Sequence, residues 1–317
     1  MLEDPALTQD AIRAAHATIH PAFTHSPKYV HDGLSTRLGV PVIVKVETVN
    51  PIRSFKGRGT WVVIEALVRD GVLSPERPVV CASAGNFGQG IAVAAGAAGV
   101  RSVVFAATTA NRGKLARMRA LGADVHEVGE DFDAAVSAAR EHAATTGALM
   151  LVDGEDARIA TGAATLALEL TDAAEAGALP APAVVSVPVG NGALINGIGS
   201  WMRAAAPGCR VVGVQAEGAA AMTLSWRAGH AIDTESVSTY ADGIAARVSI
   251  PYAVELMAGR VDDMVLVSEA AIHEAQAELT DALGITVEGA AAASWAALLA
   301  GERPEGPAVV IVTGSNV

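Results

Sequence analysis

Lys56 stands in Ser54-Phe55-Lys56-Gly57-Arg58-Gly59, between an aromatic ring and small residues. A primary amine held in such a setting can attack a carbonyl carbon and, when free, act as a base. Two glycine-rich runs follow, Ser83-Ala84-Gly85-Asn86-Phe87-Gly88-Gln89-Gly90 and Gly190-Asn191-Gly192-Ala193-Leu194, and the chain closes on Thr313-Gly314-Ser315-Asn316-Val317. Small residues opening a helix let several N–H groups point at one anion, and the helix dipole adds to the attraction. An amine, an anion cup, a second glycine loop and a terminal hydroxyl cluster are the parts needed to hold a phosphorylated aldehyde. The cofactor they imply is pyridoxal 5'-phosphate.

Other phosphate chemistries fit less well. A dinucleotide fingerprint needs its third glycine sooner than Gly197, and no Gly-Lys-Ser or Gly-Lys-Thr follows to make a nucleotide P-loop. A helix start that merely packs tightly against a neighbour is the plain alternative for the 190–194 loop. Arg58 could equally be a surface charge and is assigned no role.

These residues must be positioned by something, and the chain shows what. Short β-branched runs at 42–46, 79–82, 102–106, 124–128, 149–152, 183–187, 210–214, 264–267 and 308–312 alternate with longer alanine- and leucine-rich segments. Near-continuous apolar strands alternating with helices predict parallel sheets covered on both faces. Ligands bind such sheets at the carboxyl ends of the strands. The Ser83, Gly190 and Thr313 loops each follow a strand directly, so they are expected to meet in one crevice. Ser54 is expected to cap a helix through Arg69.

Composition narrows the partners. The 317-residue chain is 51% hydrophobic and 18% charged, with a net charge of −12. That balance disfavours a nucleic-acid partner. The longest apolar run, near 91–100, is too short to cross a bilayer. The N-terminus Met1-Leu2-Glu3-Asp4-Pro5 has no signal-peptide profile, and Cys81 and Cys209 read as buried reduced thiols, so a cytoplasmic location is expected. His25, His31 and His126 lack metal-ligand spacing and read as structural or surface residues.

Taken together, the blocks resemble a known family. Ser54 to Gly59 looks like the lysine motif of the fold-type II pyridoxal-phosphate enzymes, in particular the threonine/serine dehydratase and serine racemase group. Ser83-Ala84-Gly85-Asn86, the 187–194 run, Ala241-Asp242-Gly243, Val287-Glu288-Gly289-Ala290-Ala291 and Thr313 to Asn316 match that group's later blocks in order. The resemblance implies an α/β fold of two doubly wound parallel-sheet domains with the cofactor in the cleft between them. It places 1–50 and 150–317 in a large cofactor-binding domain and 51–149 in a small one. It implies that Lys56 forms the Schiff base and removes the Cα proton, and that Phe55 packs on the pyridine ring. Asn86 would bond the 3′-oxygen, Gly190, Asn191, Gly192, Ala193 and Leu194 would cradle the phosphate, and Thr313 would face the ring nitrogen. Ser83, Ala84, Gly85, Asn86 and Gly243 would bind the substrate.

The activity implied is β-elimination of water from a β-hydroxy amino acid, giving a 2-oxo acid and ammonia. A β-replacement synthase of the cysteine synthase kind and a sensor that has kept the scaffold are the alternatives. The resemblance also implies a homodimer or homotetramer. Departures from the family pattern sharpen the expectation. Ala84 replaces the serine that serves racemases as opposing proton donor, so racemisation should be weak. Phe87 replaces a histidine, hinting at a larger or more apolar substrate. Gln215 and Ala221 stand where some relatives hold a cation, so no metal is expected.

Overall fold

The structure is a computed structural model that describes residues 3–301 and 303–317; Met1, Leu2 and Glu302 lie outside the described residues. Ten strands among them form two sheets. The six-stranded sheet contains β1 (Lys28–Val30), β2 (Val42–Val46), β7 (Val184–Pro188), β8 (Arg210–Ala216), β9 (Asp263–Val267) and β10 (Ala308–Val312), in the order β1-β2-β10-β7-β8-β9. The four-stranded sheet contains β3 (Val79–Ala82), β4 (Ser102–Ala106), β5 (Asp124–Glu127) and β6 (Leu149–Met150), in the order β5-β4-β3-β6. Every strand pairing is parallel except β1 with β2.

Both sheets are buried on two faces, which is why their strands are apolar without alternation. Along β2 and β10, Ile43, Val309 and Ile311 face one layer of helices, Ala157–Glu175 and Ala193–Ala205, around Trp201. Val42, Val44, Val310 and Val312 face the other layer, Glu269–Leu283 and Gly289–Ala300, around Trp295. In the smaller sheet Val79, Cys81 and Val104 meet the helices Lys56–Arg69 and Asn86–Ala97, while Val80, Val103 and Phe105 meet Phe132–Thr146.

The strand order sets the position of the site. From β3 the chain runs outward through β4 and β5, then returns to the opposite side of β3 as β6. From β7 it runs outward through β8 and β9, then returns to the opposite side of β7 as β10. Each sheet therefore has one place where successive connections diverge, and such switch points open a crevice at the strands' carboxyl ends. The loops after β3 and β6, and those after β7 and β10, all line one cleft. Among the described residues no helix is long and apolar enough to cross a membrane.

Candidate active site

The cleft has a volume of about 390 Å³ and is lined by Phe55, Lys56, the 82–87 loop, the 190–194 loop, Gly243, Glu288 and Thr313, among others. All the residues singled out from the sequence for the cofactor and substrate reach it. Lys56 opens the helix Lys56–Arg69. The expected Ser54 cap is replaced by a different geometry: Phe55 occupies the cap position with helical backbone angles, and Ser54 Oγ accepts only a long bond, 3.4 Å, from the Lys56 N–H. The loop leading in is built by Asn50, whose side chain donates to the Glu47 and Ser54 carbonyls and accepts from the Ile52 and Ser54 N–H groups. The Phe55 N–H then donates to the Thr313 carbonyl at 3.0 Å, and Ser54 bridges to Gly314. The lysine loop and the C-terminal loop are thus fastened together.

Lys56 Nζ donates to Asp153 Oδ2 at 2.6 Å and lies 4.9 Å from the centre of the Phe55 ring. Asp153 comes from the loop after β6 and was not among the residues expected at the site.

The 190–194 loop has the chemistry of an anion cup. Among the described residues the N–H groups of Gly190, Asn191 and Gly192 meet no protein acceptor. They precede the 13-residue helix Ala193–Ala205, whose first-turn N–H groups are open by construction. Gly192 has φ +91, and a Cβ on Gly190 would come 2.6 Å from the Gly243 carbonyl oxygen. Only glycine lets these two loops approach so closely. The donors present suit a phosphate monoester, so the residues fit the cofactor their pattern implied.

Ser83 accepts at Oγ from the Gly88 N–H at 2.9 Å and from the Gly85 N–H at 3.2 Å. Its own O–H remains to donate toward the cleft. Ala84 and Asn86 have N–H groups with no acceptor among the described residues. This is a donor set for a carboxylate. Asn86 donates to both oxygens of Glu288 at 3.1 Å and accepts at Oδ1 from Asn316 at 2.8 Å. Asn316 also donates its backbone N–H to Glu288 at 2.7 Å and its amide to the Ile52 carbonyl. Burial raises the pKa of Glu288 against the opposing pull of the Asn86 and Asn316 donors. Phe87 lines the cleft but is buried in the small sheet's core, with 6% of its surface exposed. Gln215 is buried, its carbonyl oxygen spent on the N–H and hydroxyl of Thr223.

Sequence reasoning gave no role to four residues here: Asp153, Glu288, Lys114 and Asp242. Lys114 lines the cleft and pairs with Asp242 across its mouth, and Arg247 pairs with Asp133 nearby. Glu288 sat within a recognised block but carried no role. The Lys114 and Asp242 pairing has no local signal.

Arg58 requires a correction. It is not a surface charge: it is fully buried behind the cleft, donating to Glu47 through Nε at 2.8 Å and Nη2 at 3.0 Å, and through Nη1 to Glu169 at 2.7 Å. Lys45 joins both carboxylates. His16 Nε2 and the His25 N–H also reach Glu169, at 3.2 and 2.7 Å. His16, His25 and Glu169 thus lie together, although the sequence offered no reason to join them. Arg58 and Lys45 already occupy the carboxylate, so the cluster is an ion network.

The family model described as "Pyridoxal-phosphate dependent enzyme" matches residues 19–314. The chain is 33% identical over 312 residues to the L-threonine ammonia-lyase of Thermotoga maritima, covering 98% of this chain and 76% of that protein. It is 33% identical to a biosynthetic L-threonine dehydratase of Mycobacterium leprae, covering 98% of this chain and 73% of that protein. Among solved structures, a threonine deaminase of T.th. superposes with a TM-score of 0.90 at 29% identity, covering 98% of both chains. Threonine deaminase isoform 2 from Solanum lycopersicum gives 0.87 at 30% identity, covering 98% of this chain and 85% of that one.

Proposed function

The chain belongs to the pyridoxal-phosphate-dependent enzymes, and from that premise we propose that it is an ammonia-lyase acting on a β-hydroxy amino acid of the threonine and serine type. The products are a 2-oxo acid, ammonia and, in the elimination step, one water that is consumed again in hydrolysis. The observation that carries the reading is the convergence of a lysine amine, an open amide cup and a carboxylate-binding loop on one cleft.

Pyridoxal phosphate, when bound, would supply an electron sink for the pair left on Cα. The chain's own residues do the rest. The open N–H groups of Gly190, Asn191 and Gly192, with Ala193 and Leu194, would hold the phosphate. Asn86 would offer its remaining N–H to the 3′-oxygen, since an amide nitrogen carries two and Glu288 needs one. Phe55 would floor the ring, and Thr313 would offer a neutral hydroxyl to the ring nitrogen. The Ser83 hydroxyl and the N–H groups of Ala84 and Asn86 would fix the substrate carboxylate, with Gly243 leaving room beside it. Lys56 would take the Cα proton as general base. Ala84 offers no proton donor to the opposite face, which favours elimination over racemisation.

A homodimer or homotetramer in the cytoplasm is part of the proposal; the assembly rests on the family resemblance, and the location on Cys81 and Cys209 being free buried thiols. The test is 2-oxo-acid release from L-threonine and L-serine by wild type and Lys56→Ala. Release by wild type that is lost in the variant supports the reading. Release that survives the substitution, or a new amino acid formed only when a thiol is added, overturns it.

A further inference from the structure

Asp153 sits at the switch point of the small sheet, where β6 returns beside β3. Its Oδ2 accepts from Lys56 Nζ at 2.6 Å, and its Oδ1 is buried with no hydrogen-bond partner among the described residues. The two side chains are only 18% and 13% exposed. A buried carboxylate oxygen without a donor is costly, so an unpartnered one lining a cleft is open to a donor that enters there.

The residue is held there by its neighbours. Gly154 has φ +94, and a Cβ at that position would come 2.6 Å from the Asn191 carbonyl oxygen. The peptide after Asp153 therefore packs directly on the phosphate cup. Asp156 caps the following helix by accepting from the Arg158 N–H at 2.9 Å. Behind the carboxylate, burial and the Asp153 charge push the Cys81 thiol up to about 12, so it stays protonated and does not compete as a base.

We propose that Asp153 is a catalytic partner of Lys56, capturing the amine whenever it is not bonded to carbon and relaying the proton it collects. The inference rests on Lys56 being the amine base of the lyase reading. In that reaction the Cα–H bond breaks, its electron pair stays on Cα, and the proton moves to Nζ. The Cα pair then forms the Cα=Cβ double bond as the Cβ–O bond breaks with its pair going to oxygen. The proton passes from Nζ through the carboxylate of Asp153 to that oxygen, which leaves as water. Lys56 and Asp153 end in the protonation states in which they began, and no co-reactant is needed.

The test compares wild type, Asp153→Asn and Asp153→Glu. For turnover, each holoenzyme is assayed with L-threonine or L-serine, whichever wild type converts. In Asp153→Asn, kcat should fall about 10²-fold, the lower range for loss of one proton-transfer group, with KM within about threefold. Asp153→Glu should recover at least about a tenth of wild-type kcat. For cofactor capture, pyridoxal phosphate is added to cofactor-free protein and the visible band is followed in time. Here Asp153→Asn should be about two- to fivefold faster than wild type, because no ion pair must be broken before Nζ attacks. Slower turnover with faster capture is a combination that mere loosening of the structure does not produce. An Asp153→Asn enzyme within about threefold of wild type in kcat, with unchanged capture, overturns the proposal. Equal loss of kcat in both variants together with slower capture assigns a structural role and overturns it too. A wild type that forms no visible band overturns the lyase reading as well, whereas a normal band with an indifferent Asp153→Asn overturns this inference alone.

Discussion

Lys56 and Arg58 are two residues apart on one helix and live in opposite worlds. At about 100° per residue they point to nearly opposite sides of the helix Lys56–Arg69. Arg58 points into a sealed region where Glu47, Glu169, Thr165 and Ser26 take up its N–H groups. Lys56 points into the cleft, where Asp153 accepts from it and other polar groups stand open. A complete buried network fixes geometry; an incomplete one at a cleft leaves capacity for a ligand. The sealed region also anchors the start of the helix that presents Lys56, because Arg58 ties it to β2's end through Glu47 and to Ala157–Glu175 through Glu169.

The contrast breaks most visibly by removing each cation. Arg58→Ala leaves Glu47 and Glu169 short of their main partner and should cost about 3–5 kcal/mol of stability, read from urea unfolding. Lys56→Ala should lower activity at least about 10³-fold while costing less stability than Arg58→Ala, since its pair opens to the cleft and the Arg58 pairs are sealed. If the two variants behave alike on both axes, the division between sealed and open regions is wrong.

The two buried carboxyls sharpen the same contrast through pH. Burial pushes Glu169 up, but the His16 hydrogen bond, the Arg58 guanidinium and Lys45 outweigh it and hold Glu169 well below the usual carboxylate range. Its contribution is present above the ordinary carboxylate value of about 4.3 and is lost as pH falls toward its depressed folded value. Glu288 is shifted the other way by burial. Its contribution is fully present below that ordinary value and is lost as pH rises through its raised folded value. Urea midpoints of wild type against Glu169→Gln and Glu288→Gln, followed from pH 3 to 8, should give difference curves of opposite slope. Equal slopes would contradict the assignment.

The smallest effect belongs to the rim. Lys114 and Asp242 close the mouth of the cleft, but Asp242 is 60% exposed. Asp242→Asn should raise KM about two- to fivefold with kcat and melting temperature little changed, in steady-state assays and thermal unfolding.

What could be read from the sequence follows the same division. Strand, glycine loop and helix are local signals, so the Ser83 and Gly190 loops and the Lys56 helix start were legible along with the parallel sheets. Pairings were not. Asp153 meets Lys56 across 97 positions, Glu288 meets Asn86 across 202, and Glu169 meets Arg58 across 111. Nothing near Arg58 in the chain shows that two carboxylates will enclose it, and a lone arginine beside glycines reads as solvated. The Ser54 cap failed for a related reason: the contact of Phe55 with the C-terminal loop sets the entry to the helix, and that contact is long-range.

The central claim is that Lys56, and not another amine lining the cleft, bonds to the cofactor. Lys114 lines the same cleft and makes the choice a real one. Borohydride reduction of the protein loaded with pyridoxal phosphate, followed by proteolysis and mass spectrometry, fixes the cofactor to the lysine that held it. The account predicts the label on the peptide carrying Lys56 alone. A label on Lys114, or none on any lysine, would contradict it.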